Sequence, residues 1–126
     1  MAEHTYGEQV NINNTITLRN LLSDMPQYLK IYFRGIEQVT ASRTRIGYAR
    51  DIRTFFEFLL VTNPTLKDKT LMDITLQVLN NLSAEDIEEY LEYLKYYIKD
   101  GREYTNGERS IKRKLCSLRN FFAYLY

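Results

Sequence analysis

Apolar residues recur along most of this chain at three- and four-residue spacing, the period of a helix that buries one face. Residues 1–16 are the exception: they are polar, show no period and predict a mobile tail, with a helical turn over 17–22. Pro26 suits the first turn of a helix over 26–38, whose apolar set is Tyr28, Leu29, Tyr32, Phe33 and Ile36. Ser42 is a cap residue for a helix over 43–60, with Ala49, Ile52, Phe55, Phe56 and Leu59 on one side and Arg43, Gly47, Arg50, Thr54 and Glu57 on the other. Asn63-Pro64 ends it.

Residues 64–82 then form a connector with one short helix near 75–80. Ser83 followed by Asp86 has the pattern of a capping box opening a helix over 84–99, striped by Ile87, Tyr90, Leu91, Leu94 and Ile98 and ended by Asp100-Gly101. Thr105 with Glu108 repeats that pattern, and a last helix runs from 107 to the chain end with Ile111, Leu115, Leu118, Phe122 and Leu125 inward. No clean alternation of apolar and polar residues predicts a strand. The expected fold is all-α, a bundle of four main helices with a short extra helix in the connector.

The chain has 126 residues, the size of one domain with one modest core. No apolar run is long enough to span a membrane, and residues 1–16 lack the charged start and apolar centre of a signal peptide. The single cysteine, Cys116, has no partner for an internal disulfide and makes no zinc site alone. The simple expectation is a cytoplasmic protein without cofactor or metal. Net charge is only +1, but it is unevenly spread. Residues 83–100 hold Glu85, Asp86, Glu88, Glu89, Glu92 and Asp100, whereas 41–60 carry Arg43, Arg45, Arg50 and Arg53, and 101–126 carry Arg102, Arg109, Lys112, Arg113, Lys114 and Arg119. One acidic segment thus separates two basic ones, a distribution that points to a polyanion-binding face more than the total does.

On a helical wheel the last helix places Arg109, Lys112, Arg113, Cys116, Arg119 and Asn120 opposite its apolar stripe, and the helix over 43–60 turns Arg43, Arg50 and Thr54 outward. Arginine's planar fork donates paired hydrogen bonds to phosphate, and hydroxyls near a helix start, here Ser42, Thr44, Thr105 and Ser110, also hold phosphates. Such an arc is also what an ordinary solvated face looks like. The competing function is a helical protein-interaction or regulatory domain whose basic arc meets an acidic partner; a small enzyme is disfavoured, because no nucleophile, base and orienting group are assembled in the sequence.

Three segments, in order, resemble the N-terminal core-binding domain of the tyrosine recombinases, the phage-integrase and Xer-type enzymes. Against a family pattern T-x-x-x-Y-x-x-D-(L/I)-x-x-F-x-x-F-L, residues 44–60 read TRIGYARDIRTFFEFLL, matching at Thr44, Tyr48, Asp51, Ile52, Phe55 and Leu59, with Phe56 and Phe58 keeping the aromatic character. The segment DITLQVLNNLSAEDIEEYLEYL and the final helix RKLCSLRNFFAYL are similar to the family's next two. The entry to that helix, DGREYTNGERS, departs from the family's short Ser-Pro-x-Thr form by being longer.

The resemblance implies a SAM-like, integrase N-terminal-type domain over 17–126 that forms half of a clamp on double-stranded DNA. It implies neighbouring recombinase protomers as partners of the full-length protein, whereas this fragment is expected to be monomeric. The expected DNA-facing set is Ser42, Arg43, Thr44, Arg45, Tyr48 and Arg50 on one helix and Arg109, Ser110, Lys112, Arg113, Ser117 and Arg119 on the other. The family's reaction needs a tyrosine nucleophile, arginines, a lysine and an H-x-x-R motif. The only histidine here, His4, is followed by Thr5, Tyr6 and Gly7, so no catalytic residue is expected in this chain, and a catalytic domain is expected to follow it.

Overall fold

Six α-helices and one β-hairpin make up the described residues, 3–126, of the computed structural model. In order they are α1 (Tyr6–Leu22), α2 (Gln27–Gly35), α3 (Ser42–Thr62), α4 (Leu76–Asn80), α5 (Ala84–Tyr93), β1 (Tyr96–Lys99), β2 (Arg102–Thr105) and α6 (Glu108–Leu125). Short 3₁₀ turns fill Glu37–Val39, Pro64–Leu66 and Leu71–Asp73. The domain is therefore mostly helical, as expected, and no helix among the described residues is long and apolar enough to cross a membrane.

The centre is α3. Its Ile46, Ala49, Ile52, Phe55, Phe56, Phe58 and Leu59 are buried, so all five residues predicted inward are inward, with two faces rather than one enclosed. Around it pack Met25, Leu29, Tyr32 and Phe33 from the α2 region, Tyr90 from α5 and Leu94 just after it, and Leu118 and Phe121 from α6. Most of the aromatic pairs meet edge-on or tilted, as ring quadrupoles favour, such as Tyr32 on Phe121 at 5.1 Å between centroids and Phe55 on Tyr90 at 4.9 Å, whereas Tyr28 stacks on Phe121. Each such side chain stabilises the fold by roughly 1.5–3 kcal/mol on burial. The connector is pinned where the Tyr28 hydroxyl donates to the Ile74 carbonyl at 2.6 Å.

Four expectations need correction. Residues 1 and 2 of the expected tail lie outside the described residues, but Tyr6–Leu22 is helical where a tail and one turn were expected, opened by the Thr5 hydroxyl accepting from the Glu8 amide at 3.1 Å. Its inward line runs Val10, Asn14, Thr17, Leu18, Leu21, Leu22, and polar residues in the middle of that line mask its period. Secondly, α5 ends at Tyr93, and residues 96–105 form an antiparallel hairpin, pairing Tyr97 with Tyr104 and Lys99 with Arg102. Asp100 and Gly101 are its two-residue turn, both with positive φ (52° and 76°), the geometry that favours Asp-Gly. Ile98, expected in the buried stripe, is exposed.

Thirdly, two caps differ. Ala41, not Ser42, precedes the first turn of α3, and Gly107 precedes α6 without a side-chain cap, Thr105 being in β2. The Ser83–Asp86 capping box is present in both directions, at 3.3 and 2.8 Å. Lastly, the buried line of α6 is Ser117, Leu118 and Phe121, with Lys114 close to it, whereas Leu115 and Phe122 are its half-buried flank.

Candidate nucleic-acid interface

The expected DNA-facing helices, α3 and α6, lie against each other. The Tyr48 hydroxyl accepts from Asn120 Nδ2 at 3.0 Å, while Asp51, one turn further along α3, meets residues 113–117 of α6. The two helices therefore run in opposite senses along their seam. Helical periodicity then puts Arg43, Gly47, Arg50 and Thr54 of α3 and Arg109, Arg113, Cys116 and Asn120 of α6 on the same side of it.

A buried ionic group holds the seam. Asp51 is 2% exposed at its side chain, and its carboxylate accepts from Arg113 Nη1 at 2.6 Å, Ser117 Oγ at 2.7 Å and Lys114 Nζ at 3.0 Å. A buried carboxylate without donors is prohibitively costly, so this cluster fixes how α6 docks. Removing one partner of such a buried set costs roughly 3–5 kcal/mol. With two cations on one carboxylate, the cluster keeps a positive balance.

Of the expected set, Arg43, Thr44, Arg50, Arg109, Lys112 and Arg119 are exposed, and none makes a side-chain hydrogen bond or ion pair among the described residues. The other six are engaged. Ser42 accepts from Asn14 Nδ2 at 2.9 Å and donates to Asn11 Oδ1 at 3.2 Å, tying α1 to the start of α3. Arg45 turns back onto the loop before α3 and donates to the carbonyls of Glu37 and Thr40, so it does not swing out towards the basic face. Tyr48 is half-buried. Ser110 donates to Asn106 Oδ1 at 2.9 Å. Ser117 is 1% exposed, which places it behind the face rather than on it. Arg113 spans both environments, with its side chain 55% exposed and one nitrogen on Asp51.

The hairpin sets where α6 begins. Tyr97 stacks between Tyr93 at 4.8 Å and Tyr104 at 5.0 Å, and Lys99 pairs with Glu57 on α3. Asn106 donates from Nδ2 to the Leu94 carbonyl at 2.8 Å, so the end of α5 and the first turn of α6 share one side chain. Burial raises the Tyr97 and Tyr93 hydroxyls above the ordinary tyrosine range. Beneath them the hydroxyl of Tyr90 is pushed up much further, first by burial and then by the nearby Asp51 charge.

Comparison with known proteins bears on the chain as a whole. The chain is 31% identical over 106 residues, 80% of its length, to tyrosine recombinase XerS of Streptococcus mutans, and 29% identical over 105 residues to XerS of Lactococcus lactis subsp. cremoris. This is a tyrosine recombinase-related domain. It spans 29% of the length of those relatives. No protein-family model matches the sequence, and no solved structure matches it. Within the recombinase-related domain, sequence reading missed the roles of Asp51 and Lys114 in joining α3 to α6 and of Asn106 in joining the hairpin to α6. A signal was present for the first: Asp51 lies between Tyr48 and Phe55 on the inward side of the wheel, where a carboxylate demands buried donors.

Proposed function

We propose that this domain binds duplex DNA across the α3–α6 face and holds it for a site-specific recombination reaction carried out by a catalytic domain outside this sequence. The observation that carries the reading is the set of exposed cations Arg43, Arg50, Arg109, Lys112 and Arg119 on two adjoining helices, none of them in an ion pair among the described residues. The relationship to recombinases several times the length of the matched segment supports the division of labour. On this reading the domain is not itself an enzyme, works in the cytoplasm and meets other protomers only in the full-length protein.

Phosphates supply most of the affinity, so binding is salt-sensitive. Neutralising about five phosphates gives a log–log salt slope near −4.5, with a dissociation constant on the order of 1–100 μM for a generic duplex. The test is an NMR titration of the labelled domain with a duplex of about 20 base pairs at low and moderate salt. Shifts clustered on residues 42–54 and 109–119 that fade as salt rises support the reading. No shifts at low salt, or shifts gathered on the acidic helix α5, overturn it.

A further inference from the structure

Asp51 is the one buried carboxylate among the described residues, and its three donors are not equivalent. Ser117 is enclosed, and Lys114 is 12% exposed at its side chain; both complete an interior group. Arg113 is different. One guanidinium nitrogen, Nη1, sits 2.6 Å from Asp51 Oδ2, yet more than half of the side chain is in solvent, and Nε and Nη2 have no partner among the described residues. A guanidinium is planar with its donors in a fixed fork, so holding one nitrogen in the interior fixes the plane in which the others face outward. Arg109 and Cys116, four residues before and three after, flank this position on the same helix face, and Arg109 and the adjacent Lys112 are both exposed.

We propose that Asp51 is a positioning residue for the duplex: it anchors Arg113 from inside the protein so that the outer edge of the guanidinium is presented to a backbone phosphate. This rests on the DNA-binding reading above and adds to it the device that orders one contact in advance. A solvent-exposed arginine loses rotamer freedom when it grips a phosphate, and one already held from behind loses less. Asp51 thereby favours DNA binding although its own charge has the same sign as the duplex.

The test is a double-mutant cycle on duplex affinity with Asp51→Asn, Arg113→Ala and the pair, each checked for folding by circular dichroism. Each single variant is expected to weaken binding by about three- to tenfold; Arg113→Ala, which removes the cation, flattens the salt slope by close to 0.9, one phosphate's worth, whereas Asp51→Asn, which leaves the cation in place, flattens it by less. The double variant is expected to match Arg113→Ala within about twofold, since without Arg113 there is nothing left to position. Additive losses, or no loss for Asp51→Asn, overturn the proposal.

A second measurement needs no substitution and no DNA. Nitrogen-15 NMR of the unsubstituted domain is expected to show slow rotation of the Arg113 guanidinium and fast rotation of Arg119; equally fast rotation overturns the proposal even if Asp51→Asn fails to fold. A rigid Arg113 in a domain that binds no duplex shows instead that the DNA-binding reading has failed, and this role for Asp51 falls with it.

Discussion

Tyr90 is wholly buried between Phe55 and Phe58, with centroid distances of 4.9 and 5.1 Å, and its hydroxyl has no hydrogen-bond partner among the described residues. A buried hydroxyl without a partner has given up its water and gained nothing, so deleting it is close to neutral or stabilising. Tyr90→Phe is therefore expected to leave the thermal midpoint unchanged or raise it, which a melting curve checks; a loss above about 1 kcal/mol would mean that the hydroxyl holds a bond after all. At this scale the apolar contacts were legible in the sequence and the polar ones less so. Ile52, Phe55 and Leu118 follow from their spacing, but Lys114 and Ser117 occupy buried or nearly buried positions of α6 only because Asp51 sits opposite them. A pattern that counts only apolar residues centres the inward stripe of α6 on Leu115 and Phe122, away from Phe121, which is fully buried. Ser117, which the family resemblance places on the DNA face, lies behind it because its hydroxyl donates to the buried Asp51.

Among the elements, α3 and α5 were readable because their signals agree: a one-sided apolar stripe, with the Asn63-Pro64 stop for α3 and the Ser83–Asp86 box for α5. The hairpin was not, because Ile87, Tyr90, Leu91, Leu94 and Ile98 continue a helical period straight through β1. Asp-Gly between a tyrosine-rich stretch and Tyr104 is a strong local hairpin signal, and it prevailed because the strands can stack Tyr97 on Tyr104 and Tyr93. Gly101 has φ of 76°, a conformation that costs a residue with a Cβ about 1–2 kcal/mol. Gly101→Ala is expected to speed amide hydrogen exchange at Tyr97 and Tyr104 by roughly tenfold or more while leaving the α3 core amides near their original rates. Unchanged exchange in the hairpin would mean that its packing on Tyr93, not its turn, determines its stability.

On the whole molecule, charge is sorted onto different surfaces: exposed cations on α3 and α6, and Glu85, Glu88, Glu89 and Glu92 exposed on α5. If one duplex lies across both basic helices, cations far apart in sequence must contribute to the same salt dependence, whereas a face confined to one helix would depend on that helix alone. Arg43→Gln with Arg50→Gln removes two cations from α3, and Lys112→Gln with Arg119→Gln removes two from α6. Each pair is expected to flatten the log–log salt slope by about 1.8, two phosphates' worth, and the four-fold variant by about twice that. Additivity is expected because the pairs share no partner. Glu88→Gln with Glu89→Gln on α5 should leave the slope unchanged and tighten binding slightly at low salt, since only long-range repulsion is relieved. All six positions are exposed, and surface changes of this kind usually alter stability by no more than about 0.5 kcal/mol, so folding does not confound the comparison. A slope that responds to one basic pair and ignores the other would confine DNA to that helix, and the opposite helix would then be free to serve as a protein-contact surface.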